Sequence, residues 1–323
     1  MLNVAEDVSS GKVDTSVVLD KFEKSCNINL VTDLGLDFYG DVDKLIDDLN
    51  SVERYVPSKW EWLDNCLGGG FLEAGKALYV FAGETNIGKS IFLGNIASNI
   101  AEEGKNVLLV TLEMSELLYA RRICSNVTKI PMKELAQNSA SIKHGMSNED
   151  GKIFIKEFPP ATITANQLKA FIKKFEEQGI KLDAIVLDYL NLMHSTVGNN
   201  SYERIKHVTE QVRAMSYLFN CPIISATQLN RAGFDTDNPD LATISESIGL
   251  AATADAIISI FQNEEDRGIG VIRLGMMKNR YGPRGNTQAM RIDYSTLTIE
   301  QADDIEIGED MDDTLNVLAG LAQ

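Results

Sequence analysis

The chain has 323 residues, 44% of them hydrophobic, and a formal net charge of −17. This length can bury one large core, or one core with a small appendage. No apolar run approaches the roughly 20 residues that span a bilayer, and no signal peptide is visible, so we expect a cytoplasmic protein without a membrane partner. The four cysteines form no closely spaced pair, which is typical of reduced thiols.

The acidic charge is concentrated at the two ends of the chain. Residues 1–50 have a net charge of −7 and residues 300–323 of −8, which leaves −2 for residues 51–299. The body is therefore nearly neutral, and local basic loops there can still contact nucleic-acid phosphates. The acidic tail, residues 303–323, is typical of a solvated end; docking of a partner or mimicry of nucleic-acid charge is the alternative.

Residues 1–53 are expected to form a helical appendage. Apolar spacing and a capping residue predict one helix from about Thr15 to Lys24 and a second over about Val42 to Leu49. Neither is long enough to build a core alone, so each must pack on its own body or on a neighbouring subunit. We therefore expect this appendage to serve in subunit docking.

An octapeptide matches the phosphate-loop pattern G-x-x-x-x-G-K-[ST] at every fixed position; it consists of Gly83, Glu84, Thr85, Asn86, Ile87, Gly88, Lys89 and Ser90. Glycines let the backbone turn tightly, so that its N–H groups point at phosphate oxygens. Lys89 would neutralise the β- and γ-phosphates, and the Ser90 hydroxyl would ligate Mg2+. A bare match can be an ordinary turn, but the strand predicted before it and the helix after it favour a nucleotide site.

Strands and helices alternate from residue 75 onward. Short apolar runs typical of buried strands lie at 77–81, 107–112, 184–187 and 222–226. Helical patterns lie at 90–101, 115–126, 165–177 and 201–218. This order predicts an α/β fold, a mostly parallel sheet flanked by helices. The end differs, because antiparallel strands are expected at 270–278, 289–294 and 296–299.

Three polar residues follow predicted strands. Asp188 stands where a phosphate-loop protein places its magnesium-orienting aspartate, although strands also end in Asp as a turn residue. Glu113 can orient a water in line with the γ-phosphate, or it can cap the next helix. Gln228 can hydrogen-bond the γ-phosphate and report its loss, which spacing alone hardly favours over a structural role.

Two cations, Lys278 and Arg280, alternate near the end of a predicted strand and so share one face. Alternating Lys and Arg usually mark a solvated edge. In a ring of nucleotide-hydrolysing subunits, such a pair can instead reach the γ-phosphate bound by the neighbour.

Six segments follow one another in a recognisable order: the phosphate loop, TLEM, IVLDYLNLM, SATQLNR, SESIGLAATADAI and KNRYG. This order resembles the RecA-like motor domain of DnaB-type replicative helicases, and within them it is most similar to those of T-even-type phages. The resemblance covers roughly residues 54–300, so we divide the chain into residues 1–53, a RecA-like ATPase domain at 54–302 and the acidic tail.

The resemblance implies a DNA-stimulated ATPase with ATP and Mg2+ as cofactors. In that family pattern, Lys89 and Ser90 hold phosphate and metal, and Asp188 orients the metal. Glu113 activates the attacking water, and Gln228 senses the γ-phosphate. Each of these roles is implied by position in the matching segments.

A ring, expected to be hexameric, is also implied. Lys278 and Arg280 would act in trans on the adjacent subunit's ATP, and the Thr15–Lys24 helix would pack on the neighbouring motor domain. Family members usually carry a folded N-terminal domain that docks primase, whereas only about 50 residues precede the motor here. Primase and a helicase loader are candidate partners.

Single-stranded DNA is the implied substrate track, gripped by loops after Asp188 and after Gln228 and followed 5′ to 3′. The second loop departs from the bacterial pattern, because residues 242–248 lack its arginine. Our candidate DNA-contacting residues are Asn199, Asn200, Arg204, Lys206 and Arg231. Helix-surface charge is an equal alternative for Arg204 and Lys206.

Two other functions are compatible with this fold. A RecA-like recombinase or repair ATPase would form filaments on DNA and exchange strands. A non-motor ATP-binding assembly factor would use its nucleotide to control docking of a partner.

Overall fold

The computed structural model describes residues 35–50, 53–146, 151–195, 197–198, 200–229, 241, 248–285 and 287–302. The chain divides into two compact units, Met1–Val52 and Glu53–Gln323. In the first unit the described residues form helix α1 (Val42–Asn50), which places the predicted second helix correctly to within one residue. The predicted Thr15–Lys24 helix lies outside the described residues.

The second unit alternates strands with helices. Its strands are β1 (Tyr55–Val56), β2 (Phe71–Leu72), β3 (Leu78–Gly83), β4 (Asn106–Thr111), β5 (Lys152–Glu157), β6 (Ala184–Asp188), β7 (Ile223–Gln228), β8 (Ala256–Phe261), β9 (Val271–Asn279), β10 (Thr287–Asp293) and β11 (Thr298–Gln301). Its helices are α2 (Glu61–Cys66), α3 (Lys89–Glu102), α4 (Glu116–Thr128), α5 (Ser139–Gly145), α6 (Ala165–Glu177), α7 (Ser201–Phe219), α8 (Ile248–Thr253) and α9 (Glu264–Gly268). Two 3-10 turns lie at Leu135–Gln137 and Leu190–Leu192.

Nine strands form one sheet in the order β11-β10-β9-β8-β3-β7-β6-β4-β5, and β1 and β2 form a separate antiparallel pair. The six strands from β8 to β5 in this order run parallel to one another. The strands β9, β10 and β11 pair antiparallel at the other end. This confirms the predicted fold class, including the change to antiparallel pairing near the end.

Helices cover both faces of the parallel strands, which explains why these strands are apolar at consecutive positions. On one face, Tyr79 and Phe81 of β3 belong to the same buried cluster as Phe92 of α3. On the other face, Leu78 and Val80 join a second cluster, which includes residues of α6 and α7. The alternation of β3 side chains between the two clusters follows from the period of a strand.

Two parallel strands were missed in the sequence. The first, β5, lies at the sheet edge and is only partly buried, with Lys152 and Glu157 at its exposed ends. The second, β8, is fully buried and is separated from the helix α8 only by Ala254 and Asp255, so the boundary between the two elements is hard to recognise in the sequence. Among the described residues, no helix is long and apolar enough to cross a membrane. Within that part of the chain, Cys66, Cys124 and Cys221 are free and buried thiols.

Candidate nucleotide site

The phosphate loop connects β3 to α3, as the pattern predicts. Gly88 immediately precedes α3 with φ +102°, a conformation that residues with a side chain rarely adopt. A Cβ on Gly83 would come within 2.8 Å of Ile87 and 3.0 Å of the Ile260 carbonyl oxygen. Both positions therefore require glycine. The 14-residue helix α3 points its N-terminus into the loop, where the helix dipole favours an anion.

Lys89 is folded into the loop and is only 7% exposed. Its ammonium donates to the carbonyl oxygens of Gly83 at 3.0 Å and Glu84 at 2.5 Å. Burial lowers the pKa of Lys89 to about 8, against the opposing effect of carboxylates led by Glu113 and followed by Asp188. A phosphate bound beside this ammonium would favour its charged form.

Asp188 ends β6 and is fully buried. Burial raises the pKa of Asp188 to about 6, while the hydroxyls of Ser90 and Tyr119 lie near enough to oppose that rise. Neither carboxylate oxygen accepts a hydrogen bond of ordinary geometry from the described residues. A buried carboxylate without such a donor, next to a serine hydroxyl, is an oxygen set that suits Mg2+. The predicted metal residues therefore fit the predicted metal.

Glu113 lies two residues beyond the end of β4, the strand that pairs with β6. In that pairing Thr111 is opposite Asp188, so the two acidic residues follow neighbouring strand ends. Thr111 closes the turn after Glu113 by accepting from the Met114 N–H and donating to the Met114 carbonyl oxygen, both at 3.0 Å. Ser115 caps α4 through the Leu118 N–H. The cap of α4 is therefore Ser115, and the alternative that Glu113 caps this helix is wrong.

Gln228 ends β7, the strand that pairs with β3. It lies opposite Gly83, the first residue of the phosphate loop, and its amide donates to the Tyr189 hydroxyl at 3.1 Å. The sequence spacing hardly favoured a place beside the phosphates. The sheet order places Gln228 next to the phosphate loop, because β7 is the immediate neighbour of β3.

A cavity of about 220 Å³ lies beside the phosphate loop, which forms one of its walls. Glu113 and Gln228 also line it, together with four residues that the sequence analysis did not name as site residues, Ile91, Met114, Arg122 and Tyr189. Arg122 adds a second cation to the cavity. It lies on α4, the helix that follows Glu113. Two surface cavities elsewhere, of about 270 and 330 Å³, contain no phosphate-loop residue.

Tyr119 supports this site from beneath. It is completely buried, and its hydroxyl donates to the Ser90 carbonyl oxygen at 2.9 Å. We expect Tyr119→Phe to lower the free energy of unfolding by about 1 kcal/mol, the usual contribution of one such hydrogen bond. Urea unfolding would measure it, with the exposed Tyr294→Phe as the matched control. Equal midpoints for the two variants would contradict the expectation.

Lys278 and Arg280 lie far from this cavity. At the end of β9, Lys278 is opposite Ile257 and Asn279 opposite Ala256, which in turn is opposite Tyr79 near the start of β3. The phosphate loop begins at the other end of β3, four residues away, or about 13 Å along the strand. Arg280 follows β9 and does not belong to it. The two cations thus lie at the opposite sheet edge from the nucleotide site of their own chain.

The candidate DNA-contacting residues have local structural partners. The Asn200 side chain accepts from the Glu203 N–H at 2.8 Å and so caps α7. Arg204 donates to the Gly198 carbonyl oxygen at 3.3 Å, and Lys206 lies 3.9 Å from the Glu210 carboxylate. Asn199 and Arg231 lie outside the described residues. A DNA contact for this group stays a prediction.

The phosphate loop, the buried strand-end aspartate and the mostly parallel sheet together define a nucleotide-binding protein of the RecA-like α/β class. The model of the DnaB-like helicase C-terminal domain matches residues 56–297. The chain belongs to this family, which confirms the resemblance found in the sequence.

Individual relatives agree with that assignment. The DnaB-like replicative helicase of Enterobacteria phage T4 is 25% identical over 284 residues, covering 84% of this chain and 59% of that protein. The replicative DNA helicase DnaB of Helicobacter pylori strain J99 is 24% identical over 219 residues, or 64% of this chain and 44% of that protein. The chain therefore spans about half the length of these curated relatives.

Two solved structures share the fold. The ATPase domain of G40P has a TM-score of 0.70 at 19% identity, covering 84% of this chain and all of that one. A DnaB-like replicative helicase, studied with its interactions with primase, has a TM-score of 0.69 at 19% identity, covering 84% of this chain and 68% of that one.

Proposed function

We propose that this chain is the ATPase motor of a replicative DNA helicase, which hydrolyses ATP with Mg2+ and moves 5′ to 3′ on single-stranded DNA as a hexameric ring. The observation that supports it best is the cavity at the carboxyl edge of the sheet. Lys89, Glu113 and Gln228 line this cavity, and the buried Asp188 lies close to Ser90, another of its lining residues. The names of the relatives are consistent with this function.

In this mechanism the loop amides and Lys89 would hold the phosphates, while Ser90 and Asp188 would hold Mg2+. The metal would supply neutralisation of the charge that develops on the phosphate oxygens. Glu113 accepts a proton from the water that attacks the γ-phosphorus. Gln228 contacts the γ-phosphate, and its hydrogen bond to Tyr189 connects the end of β7 with the segment that follows Asp188.

Catalysis would be completed between subunits. Lys278 and Arg280 lie at the sheet edge opposite their own phosphate loop, so another chain must present the nucleotide that they contact. A ring supplies that arrangement at every interface. In this proposal, ATP binding closes an interface and hydrolysis releases it.

The DNA path and the partners complete the proposal. The loops after Asp188 and after Gln228 would face the channel, with the candidate residues gripping phosphates and little dependence on base sequence. The structural relative studied with primase makes primase a partner to test, along with a helicase loader. The place of action would be the cytoplasm, that of the host if a phage encodes the chain.

Residues 1–53 would serve in subunit docking. Deleting residues 1–30, which include the predicted Thr15–Lys24 helix, should shift the assembly toward smaller species in light scattering. The full chain at the same concentration is the control. An unchanged size distribution would contradict a docking role.

The proposed function is tested by ATP hydrolysis against protein concentration, with and without unstructured single-stranded DNA. Sites shared between subunits should give a steep dependence on protein concentration, and a motor should be strongly stimulated by DNA. Lys89→Ala is the negative control, because it removes the cation that would contact the phosphates. Hydrolysis indifferent to both variables would contradict the motor and favour an assembly factor. Open filaments on DNA in electron micrographs would favour a recombinase.

A further inference from the structure

Asp255 lies between α8 and β8, and its side chain is only 2% exposed. One oxygen accepts from the Leu78 N–H and from Arg213 Nε, each at 2.9 Å. The other oxygen accepts from Arg213 Nη2 at 2.9 Å and from Arg280 Nη1 at 2.8 Å. One buried carboxylate is therefore shared by two guanidinium groups that are distant in the sequence.

The two arginines hold this carboxylate differently. Arg213, on α7, binds both oxygens and is 25% exposed. Arg280 binds one oxygen and is 46% exposed. Arg213 contacts both oxygens of Asp255 and so balances the charge of that carboxylate. Arg280 is therefore held in place while its own positive charge remains uncompensated. An arginine held in that way remains available to an external anion.

Lys278 adds a third cation beside this group. Its ammonium donates to the carbonyl oxygens of Ala251, Ala252 and Ala254, at 2.7, 3.2 and 2.6 Å, at the end of α8. Those carbonyl partners carry no charge. The group therefore contains three cations, Arg213, Arg280 and Lys278, and one carboxylate, that of Asp255. Burial and the nearby Arg280 both lower the pKa of Lys278, as expected for a cation crowded by another cation. The excess positive charge suits a bound phosphate.

We propose that Asp255 is the positioning residue for Arg280, and that Arg213 is the counter-charge which lets Asp255 hold that arginine for the ATP of the neighbouring subunit. This inference rests on the proposed function. It also connects Arg280, the proposed arginine finger, with the proposed DNA loops, because Arg213 lies on α7, whose N-cap is the candidate residue Asn200. Asp255 itself lies two residues beyond the end of α8, the helix after the second loop.

The test mixes two variants that are each inactive alone. Asp255→Asn keeps the shape of the side chain and an acceptor for the Leu78 N–H, but removes the charge that orients Arg280. Glu113→Gln disables its own site but keeps its finger. In rings mixed one to one, half of the nucleotide sites on Asp255→Asn subunits lie next to a Glu113→Gln subunit, whose Arg280 is correctly positioned. Single-turnover hydrolysis should then recover about a quarter of the wild-type amplitude, since each interface is independent in one turnover.

A parallel mixture of Arg280→Ala with Glu113→Gln separates the possible failures. Recovery in this mixture without recovery in the Asp255→Asn mixture would overturn the role of Asp255 and leave the proposed function standing. Recovery in neither would overturn the shared site itself, and the inference with it. A merely structural Asp255 would damage its own subunit, which a neighbour's finger cannot repair.

A second variant covers the case that Asp255→Asn does not fold, judged by circular dichroism and by binding of a fluorescent nucleotide. Arg213→Met leaves Asp255 in place but makes Arg280 its only cationic partner. We expect the same loss alone and the same recovery when it is mixed with Glu113→Gln. Full activity of Arg213→Met alone would overturn the counter-charge role.

Discussion

Replacing Glu113 with Gln is expected to leave nucleotide binding intact and to slow ATP hydrolysis by about 10²–10⁴-fold, the usual contribution of a general base. The amide keeps the size of the side chain and can still contact a water, but it cannot take up its proton. Glu113 is exposed in the nucleotide cavity and α4 is capped by Ser115, so the substitution leaves the fold unchanged.

Glu116→Gln is the matched control for this prediction. Glu116 lies three residues further along, in the first turn of α4, and its carboxylate contacts Lys156 at 2.6 Å and the Glu157 N–H at 2.9 Å. The same chemical change there should alter turnover less than about twofold, because an exposed ion pair contributes little. Tight ATP binding with near-normal turnover in Glu113→Gln would remove Glu113 from the role of base.

Arg280→Ala is expected to abolish hydrolysis while most of the nucleotide affinity remains. An arginine finger typically contributes about 10³–10⁵ to turnover, mainly through the charge of the transition state. In the proposed function the phosphate loop, at the other edge of the sheet, binds the nucleotide, so the dissociation constant of the nucleotide should change little. Equilibrium binding of a fluorescent nucleotide and steady-state hydrolysis measure the two effects separately.

The exposed Arg284, four residues further along the chain, supplies the control, since Arg284→Ala removes the same charge from the same end of the domain. Doping Arg280→Ala into wild-type rings adds a test of coupling between sites. If the sites fire in sequence, activity should fall more steeply than the fraction of variant. Loss of nucleotide binding in Arg280→Ala alone would contradict a role in trans, because it would place the arginine at its own site.

The grouping of the candidate site residues could be predicted from the sequence, because they are local or follow from sheet geometry. The phosphate loop is one continuous segment between a strand and a helix. Asp188, Glu113 and Gln228 are distant in the sequence, but each follows a parallel strand, and parallel strands end at one edge. Once the strands are recognised, these residues must lie close together, which the structure confirms.

Residues that reach the site from a helix could not be predicted in this way. Arg122 and Tyr119 depend on how α4 packs against α3, and packing leaves no fixed spacing in the sequence. The group around Asp255 joins Arg213 and Arg280, which lie 42 and 25 positions away. The strand β8 was missed, and without it neither Asp255 nor the distance between the finger and the phosphate loop could be deduced.

The proposed finger, Arg280, and the phosphate loop lie at opposite edges of one sheet, which has a further consequence for assembly. When subunits pack head to tail, such a contact joins two different surfaces, one from each neighbour. A linear row of subunits always leaves one phosphate loop without a finger and one finger without a phosphate. Only closure completes every site, and opening a closed ring to admit a DNA strand would silence one site. Loading of DNA and ATP hydrolysis would then compete for the same subunit interface.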